Sequence, residues 1–162
     1  MRTYDGEKPG SGKLTQLPYF DNENADKAFQ VWCPMALGLD AESAPNLMPY
    51  NGDKCLIAWY ANISMDGAQP YNDDYLISPA IKGGTEVSFY MKKIDKNLTG
   101  ETYEIMYSTT TQDPSAFKVL TTDEAPAEWQ QIKATMPEDA KYFAIHYTAK
   151  LKDGIMVDDI SY

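Results

Sequence analysis

The fold is decided by the stretch Gln69-Pro70-Tyr71-Asn72-Asp73-Asp74-Tyr75-Leu76-Ile77-Ser78-Pro79-Ala80-Ile81. It opens with turn residues, because Pro fixes φ and the Asn and Asp side chains bond to nearby backbone. A short apolar run then ends at Ser78-Pro79, where the missing proline N–H stops ladder pairing. Gly83 and Gly84 follow, and the alternating segment Glu86–Lys93 comes next. A polar turn, a short strand, a glycine turn and a longer strand are typical of antiparallel β-proteins.

The composition indicates one ordered domain with an acidic surface. Of 162 residues, 43% are hydrophobic and 12% are aromatic, which is enough for a sizeable core. The formal net charge is −10, from 14 Lys and Arg against 24 Asp and Glu. A domain with this negative charge lacks the basic patch that binding to nucleic acid or anionic lipid requires. No apolar run in the sequence is long enough to span a bilayer. We therefore expect no nucleic-acid partner and no membrane insertion. The excess carboxylates either keep a secreted domain soluble or bind a hard cation such as Ca²⁺.

The cysteine and histidine content argues against several chemistries. Cys33 and Cys55 form no Cys-x-x-Cys pair, and the sequence leaves open whether they are bonded or are two free thiols. His146 is the single histidine, so a zinc site or a His-dependent triad has little to build on. We expect His146 to be a packed strand residue rather than a catalytic base.

The first 16 residues differ in composition from the remainder. Residues 1–16 are rich in Gly, Pro, Ser and Lys and show no apolar periodicity, which predicts a linker or the remnant of an upstream domain. The folded domain is then residues 17–162. The start of the chain lacks the apolar core of a signal peptide. The protein is therefore either cytoplasmic or a piece of a longer secreted chain, and the tether-like start favours the second.

About nine strands are predicted in the remaining chain, separated by Gly, Pro and Asn turns. They lie at 17–21, 29–33, 55–60, 75–77, 86–93, 102–108, 129–134, 142–147 and 154–162, with 114–120 either a helical turn or a strand. We expect 86–93 and 102–108 to form a hairpin and 142–147, which is nearly all apolar, to be a central strand. The pattern predicts an all-β fold, a two-sheet antiparallel β-sandwich. Residues 34–54 form a long loop, and loops of this length are more often functional than idle.

Two adjacent acids, Asp158 and Asp159, interrupt the apolar final strand. Strict alternation places one acid on each face, and a carboxylate that faces a core is costly unless it is paired or bound to metal. The alternative is a frayed strand edge at which both acids meet Lys or water. Ca²⁺ takes about six to eight oxygen ligands, and Asp21, Asn22 and Glu23 would contribute if the first and last strands are neighbours.

Aromatic residues are the second group of candidates. Trp59, Tyr60 and Tyr71 flank the loop before the opening stretch, beside acids and amides, as in many surfaces that bind sugars or proteins. The alternative is that Trp59 belongs to the core and that Tyr71 is a surface residue of a turn with no binding role. A glycosidase would need two carboxylates at a defined separation. Because the chain contains 24 Asp and Glu residues, finding two of them in the sequence does not indicate a glycosidase.

Several segments, taken in order, resemble one family. Asn72–Pro79 resembles a signature of the cleaved-adhesin, or choice-of-anchor J, domains. These are MAM-like jelly-roll modules of Bacteroidetes surface proteins, including the haemagglutinin/adhesin regions of gingipains. Tyr19–Asn22 with the following Trp32, Glu86–Tyr90 and Val157–Ile160 are similar to further family motifs, so the resemblance covers residues 17–162.

The resemblance implies a fold, a cofactor and a role. It implies jelly-roll topology and a structural Ca²⁺ held between the first and last strands, with Asp21 and Asp159 as ligands and Asp158 as a further candidate. The implied role is a non-catalytic adhesion module of a larger bacterial surface or secreted protein, located outside the cell. It would bind a glycan or a host or matrix protein and would contact other domains of its own polypeptide. The alternatives are an accessory domain of a secreted peptidase or glycoside hydrolase, and a stand-alone hydrolase with two facing carboxylates in a pocket.

Overall fold

The computed structural model describes residues 1–5, 14–17, 28–59, 71–150 and 152–162. This part of the chain contains strands and short 3₁₀ turns but no α-helix. None of it forms a helix that is long and apolar enough to cross a membrane. The strands are β1 (Arg2–Asp5), β2 (Thr15–Gln16), β3 (Gln30–Trp32), β4 (Cys55–Trp59), β5 (Asp74–Ile77), β6 (Glu86–Lys93), β7 (Thr102–Ser108), β8 (Lys118–Glu124), β9 (Gln130–Thr135), β10 (Tyr142–Tyr147) and β11 (Gly154–Ser161). The 3₁₀ turns are Pro34–Leu37, Pro45–Leu47 and Pro114–Ala116.

The strands form two antiparallel sheets. The order is β2-β1-β5-β10-β7-β8 in the six-stranded sheet and β3-β4-β11-β6-β9 in the five-stranded sheet. The chain changes sheet between most consecutive strands, as in the run from β4 through β5 and β6 to β7. This arrangement is a jelly-roll β-sandwich, so the predicted fold class is confirmed. The prediction that residues 142–147 are central is also confirmed, because β10 lies between β5 and β7.

The core lies between the sheets and follows from the two-residue period of a strand. Alternate side chains of the central strands point inward, and the largest of them are fully buried. Each such side chain stabilises the fold by about 1.5–3 kcal/mol through burial. The inward residues of the central strands are Val87, Phe89, Met91, Tyr103, Ile105, Phe143, Ile145, Tyr147, Ile155 and Val157.

The outer face of the five-stranded sheet is covered by the loop 34–54. Trp32, Ile57 and Met156 form a second apolar cluster there, against which Leu39 and Leu47 of the loop pack. The indole nitrogen of Trp32 donates a hydrogen bond to the Leu47 carbonyl over 2.8 Å. The loop predicted from its Gly and Pro content is therefore ordered, because it buries apolar side chains of its own.

The outer face of the six-stranded sheet holds His146 between two acids. Its ring stacks on Tyr75 with centroids 3.9 Å apart. Its Nε2 lies 2.8 Å from Asp73 Oδ1 and its Nδ1 lies 2.9 Å from Glu104 Oε2, and both contacts are hydrogen bonds when both ring nitrogens carry a proton. As predicted, His146 is a packed strand residue, with a carboxylate oxygen next to each ring nitrogen.

The predicted hairpin of residues 86–93 and 102–108 is wrong. β6 pairs with β9 and β11, whereas β7 pairs with β8 and β10 in the other sheet. The segment 94–101 between the two strands carries the chain from one sheet to the other. The inward side chains of the two strands, such as Phe89 and Ile105, then pack in the same core from opposite sides.

The N-terminal segment differs from a linker where the structure describes it. Arg2–Asp5 pairs with β5 over its full length, and Thr3 is buried. Tyr4 meets Tyr75 edge-on with centroids 5.8 Å apart. The Gly and Pro residues that follow obscure this strand in the composition. The strand predicted at 17–21 lies almost entirely outside the described residues, and Leu17 itself is not in a strand.

The cysteines are two free thiols. Cys55 is buried, and its burial raises the pKa of the thiol well above the usual range. Cys55 is therefore an inert core thiol at neutral pH.

A buried carboxylate joins the two sheets at one corner. Glu101, which precedes β7, is 0% exposed. Its Oε1 accepts hydrogen bonds from the backbone N–H groups of Asp153 (2.8 Å) and Gly154 (3.2 Å), and its Oε2 accepts one from the Tyr147 hydroxyl. Burial raises the pKa of Glu101, and these hydrogen bonds partly offset that effect. We call this set the Glu101 clip.

We predict that the hydrogen bonds of the Glu101 clip, rather than its charge, stabilise the fold. Glu101→Ala should lower the free energy of unfolding by about 3 kcal/mol, because buried N–H and O–H groups lose their acceptor. Glu101→Gln should be less destabilised than Glu101→Ala at pH 7, because its amide oxygen still accepts both N–H bonds, although its NH₂ group takes the place of the acceptor of the Tyr147 hydroxyl. Urea unfolding of both variants measures this, with the exposed Glu128→Gln as the control.

The pH dependence has a definite sign. The pKa of Glu101 is raised in the folded state. Its titration therefore adds to the free energy of unfolding fully when the pH is below the ordinary pKa of 4.5, and this addition is lost as the pH rises through the raised pKa. The stability of Glu101→Gln relative to wild type should therefore increase with pH over that window. Equal losses in the Gln and Ala variants at every pH would contradict the prediction.

Candidate functional site

The loop 34–54 and the final strand bring three polar residues together. The backbone N–H of Asn51 donates to Asp158 Oδ2 over 3.0 Å, and its side-chain amide donates to Asp159 Oδ2 over 3.3 Å. The Asp159 N–H donates to Asp158 Oδ1 over 2.8 Å. We call Asn51, Asp158 and Asp159 the acidic corner. It joins two segments of the chain that are far apart in sequence.

A β-bulge places both acids on the same side of β11. The pairing with β6 is regular up to Asp158, opposite Tyr90, and then shifts before Ser161. Asp159 adopts a left-handed backbone with φ of 46°, which Asp tolerates better than most residues. The expectation of one acid on each face is therefore wrong, because the bulge breaks the alternation and both carboxylates contact Asn51.

The acidic corner concentrates negative charge at a partly buried position. Burial is the main cause that raises the pKa of Asp158, and the charge of Asp159 raises it further. Hydrogen bonds from the backbone of Asn51, Asp159 and Tyr50 oppose the shift. A cation or a set of hydroxyl donors at this position would offset the repulsion between the two carboxylates.

The donor atoms of the acidic corner suit Ca²⁺ in type but not in number. Carboxylate and amide oxygens are the ligands that Ca²⁺ prefers, and it takes about six to eight of them. Across the part of the chain that the structure describes, no group of three or more His, Cys, Asp or Glu could hold a metal ion. Asp21, the other predicted ligand, lies outside that part. The predicted calcium site therefore stays a prediction.

A cavity lies next to the acidic corner. Its volume is about 270 Å³, and Asp158 and Asp159 line it together with Lys54, Val31 and Leu56. The lining thus combines aliphatic residues with two acidic residues and a lysine.

Aromatic rings lie on the other side of the acidic corner. Tyr50, the residue before Asn51, stacks on Tyr90 with centroids 3.7 Å apart and an interplanar angle of 12°. Trp129 is tilted against Tyr50 at 6.0 Å. Tyr50 is 43% exposed, while the other two rings are half-buried. We call Tyr50, Tyr90 and Trp129 the aromatic shelf.

The aromatic shelf is tied to its surroundings. The Trp129 indole donates to the Met48 carbonyl over 3.3 Å, and the Lys92 ammonium lies 5.7 Å from the Trp129 ring centroid. The pKa of Tyr50 is raised, first by its hydrogen bond with Tyr90 and to a smaller extent by the charge of Asp159. The aromatic shelf and the acidic corner are therefore electrostatically coupled neighbours.

The predicted ligand residues lie elsewhere on the molecule. Trp59 is half-buried and packs edge-on against Trp32 with centroids 5.8 Å apart, while Tyr71 is 45% exposed. Tyr60 lies outside the described residues. In β11, Gly154 pairs with Trp59 whereas Asp158 pairs with Tyr90, so the two groups lie near opposite ends of that strand. A ligand role for Trp59, Tyr60 and Tyr71 stays a prediction.

Sequence reasoning missed the aromatic shelf. Tyr50 follows Pro49 in a loop, and Tyr90 occupies an outward position of a strand, so each is unremarkable alone. The one usable signal was the loop length, which marked residues 34–54 as functional. The stacking itself joins residues far apart in the chain and cannot be seen in the sequence.

Two packed antiparallel sheets, with exposed aromatic and acidic groups on an ordered loop, define a β-sandwich binding module. The comparison with protein families shows to which family this module belongs. The family described as Cleaved Adhesin Domain matches residues 24–162, and the chain belongs to that family. The domain is accordingly an adhesion module. No curated protein matches the chain.

Solved structures share the fold. The K1 cleaved adhesin domain of Lys-gingipain (Kgp) from Porphyromonas gingivalis W83 is 21% identical, with a TM-score of 0.64 over 86% of this chain and 85% of that one. The K2 cleaved adhesin domain of Lys-gingipain is 21% identical, with a TM-score of 0.61 over 88% and 95%. TmCBM61, in complex with β-1,4-galactotriose, is 12% identical, with a TM-score of 0.51 over 83% and 81%. At these identities the likeness shows the fold alone.

We predict that Asp158 fixes the loop that carries Tyr50 and Asn51. Asp158→Ala should speed hydrogen exchange at the Asn51 amide by about tenfold, because a hydrogen bond to a carboxylate is worth about 1.5 kcal/mol or more. Exchange followed by NMR measures this. The control is Asp123→Ala on β8, which should leave the Asn51 amide unchanged. Unaltered protection in Asp158→Ala would show that the loop is held by its apolar contacts alone.

Proposed function

We propose that this domain is a non-catalytic module of a larger bacterial surface or secreted protein. It acts outside the cell, binds a glycan or a host or matrix protein, and carries Ca²⁺ between its first and last strands. Membership of the adhesin family is the observation that carries this proposal. The K1 and K2 structures are each one domain of Lys-gingipain, which supports a role as one module among several. The alternative, an accessory domain of a secreted peptidase or glycoside hydrolase, uses the same module beside a different neighbour.

The local geometry supports a binding role over a catalytic one. A glycosidase flanks the scissile bond with two carboxyl groups, about 5 Å or more apart. Asp158 and Asp159 instead share the hydrogen-bond donors of Asn51 on one side of a strand. His146, the single histidine, has a carboxylate on each ring nitrogen. These groups build a charged surface rather than an acid–base pair.

Two observations support a glycan as the partner. The exposed ring of Tyr50 adjoins carboxylate and amide groups, and sugar sites combine an aromatic surface with a few placed polar groups. TmCBM61, which shares the fold, was solved with β-1,4-galactotriose. A host or matrix protein would use the same exposed aromatic and polar groups as anchors.

The calcium part of the proposal rests on the acidic corner. Asp158 and Asp159 would hold the ion through carboxylate oxygens, and Asp21 would supply a further ligand from the first strand. The ion would offset the charge repulsion at a half-buried position and join the two ends of the domain. It would act on stability rather than on chemistry.

We predict that Ca²⁺ raises the melting temperature over that in EDTA. At a Ca²⁺ concentration of about ten times its Kd, binding adds about 1.4 kcal/mol, or about 3–6 °C in Tm. Asp159→Asn should abolish the shift, because it removes a charged ligand while Asn still tolerates the left-handed backbone. Asp123→Ala is the control and should keep the full shift. Identical melting in Ca²⁺ and EDTA would refute the calcium assignment.

We predict that the folded 162-residue chain binds at least one glycan or matrix protein. A glycan array, together with immobilised collagen, fibronectin and fibrinogen, provides the test, with the heat-unfolded chain as the control. Saturable binding by the folded chain alone is the expected result. A folded chain that binds nothing on either panel would contradict the adhesion partner proposed here.

A further inference from the structure

We propose that the aromatic shelf and the acidic corner form one site for a neutral pyranose unit, which lies on the open face of Tyr50. This rests on the proposed function and deepens it by naming the site and the class of sugar. The site differs from the Trp59, Tyr60 and Tyr71 group predicted from the sequence.

Tyr50 provides the stacking surface. One face of its ring is covered by Tyr90 at 3.7 Å, while the residue remains 43% exposed. The electron-rich face of an aromatic ring attracts positively polarised groups, and the axial C–H groups of a pyranose are of this kind. Trp129, tilted by 59° against Tyr50, adds a side wall. An exposed ring with a second ring beneath it and a third beside it suits the flat face of a sugar.

The ring is held in place before a ligand arrives. Asn51, next in the chain, is hydrogen-bonded to both carboxylates of the acidic corner. On the other side of Tyr50, the Met48 carbonyl is held by the Trp129 indole. The loop is thus fixed on both sides of Tyr50, so binding costs little loop ordering.

Hydrogen-bond acceptors surround the stacking surface. Asp159 is exposed, and its carboxylate can accept from sugar hydroxyls in the strong, charge-assisted manner. Gln131 is the cross-strand partner of Tyr90, is exposed, and offers both a donor and an acceptor. The polar groups therefore lie at the rim of the aromatic shelf, where the equatorial hydroxyls of a stacked sugar point.

The charges select a neutral sugar. Two carboxylates adjoin the site on a chain of net charge −10. In the part of the chain that the structure describes, Lys133 pairs with Glu86 at 2.9 Å and Lys92 is buried against Trp129. Lys54, which lines the cavity with the two carboxylates, balances at most one of their two charges. In the chain without bound Ca²⁺, a uronic or sialic acid would meet this negative charge, so the acidic probes are compared in EDTA. The site therefore favours an uncharged hexose over an acidic one.

Binding of defined oligosaccharides to the full chain tests the site. The neutral probes are lactose, β-1,4-galactotriose, cellotriose, mannotriose and chitotriose; the acidic probes are sialyllactose and trigalacturonate. At least one neutral probe should bind and perturb the NMR signals of the Asn51 and Gln131 amides and the Trp129 indole N–H. The acidic probes should bind more weakly, and lactose with sialyllactose provides a comparison that differs by one sialic acid.

Substitutions at Tyr50 then isolate the stacking contact. Tyr50→Ala should weaken binding of that neutral probe by about tenfold or more, as for a central aromatic anchor. Tyr50→Phe keeps the ring and should stay within about threefold. Tyr142→Ala is the control, because Tyr142 packs on the outer face of the six-stranded sheet, whereas Tyr90 and Trp129 lie at the five-stranded sheet.

Each contrary outcome has a distinct meaning. Binding that survives Tyr50→Ala but falls in Trp59→Ala or Tyr71→Ala would overturn this inference and leave the proposed function intact. Tighter binding of sialyllactose or trigalacturonate than of every neutral probe would overturn the assignment of a neutral sugar. Binding of no neutral probe, with binding to a matrix protein retained, would overturn the sugar site while the adhesion role stands.

Discussion

The Glu101 clip is the interaction on which the rest of the structure depends. Glu101 precedes β7 and Tyr147 ends β10, both in the six-stranded sheet, whereas Asp153 precedes Gly154, the first residue of β11 in the five-stranded sheet. Gly154 also lies so close to Ala58 that a Cβ would be 2.5 Å from its carbonyl oxygen. Since β11 lies between β4 and β6, fixing where it begins helps to fix its register against both of these strands.

That register determines the candidate site. It places Asp158 opposite Tyr90, and the bulge that follows turns Asp159 to the same side. The loop 34–54 crosses the outer face of the same sheet and delivers Tyr50 and Asn51 to these groups. The aromatic shelf and the acidic corner therefore result from one strand register and one ordered loop, and the residues that form them serve no part of the inter-sheet core.

The sequence predicted those features of the structure that depend on residues close together in the chain. Residues 86–93 and 102–108 are strands as predicted, because side chains alternate with a period of two wherever one face is buried. Residues 142–147 are a strand as predicted from their continuous apolar run, which is buried on both faces. The pairing of β6 with β7 was wrong, because pairing depends on which apolar faces meet across the core, a property of the whole chain. Asp158 and Asp159 stood out because carboxylates are costly in an apolar run. Tyr50 did not, since its significance comes from a partner in another strand.

The exposed strand β8 has a consequence for copies of this domain at high local concentration. It is the outermost strand of its sheet, with every side chain from Lys118 to Glu124 exposed, and its pairing to β7 contains an irregularity near Ile105. Open strand edges recruit further strands unless charge or distortion prevents it. β8 has both defences, since Lys, Asp and Glu side chains flank its two exposed aliphatics and the irregularity twists its backbone. Neighbouring copies are thus discouraged from merging into a continuous sheet, and each keeps its loop 34–54 separate from that of its neighbour.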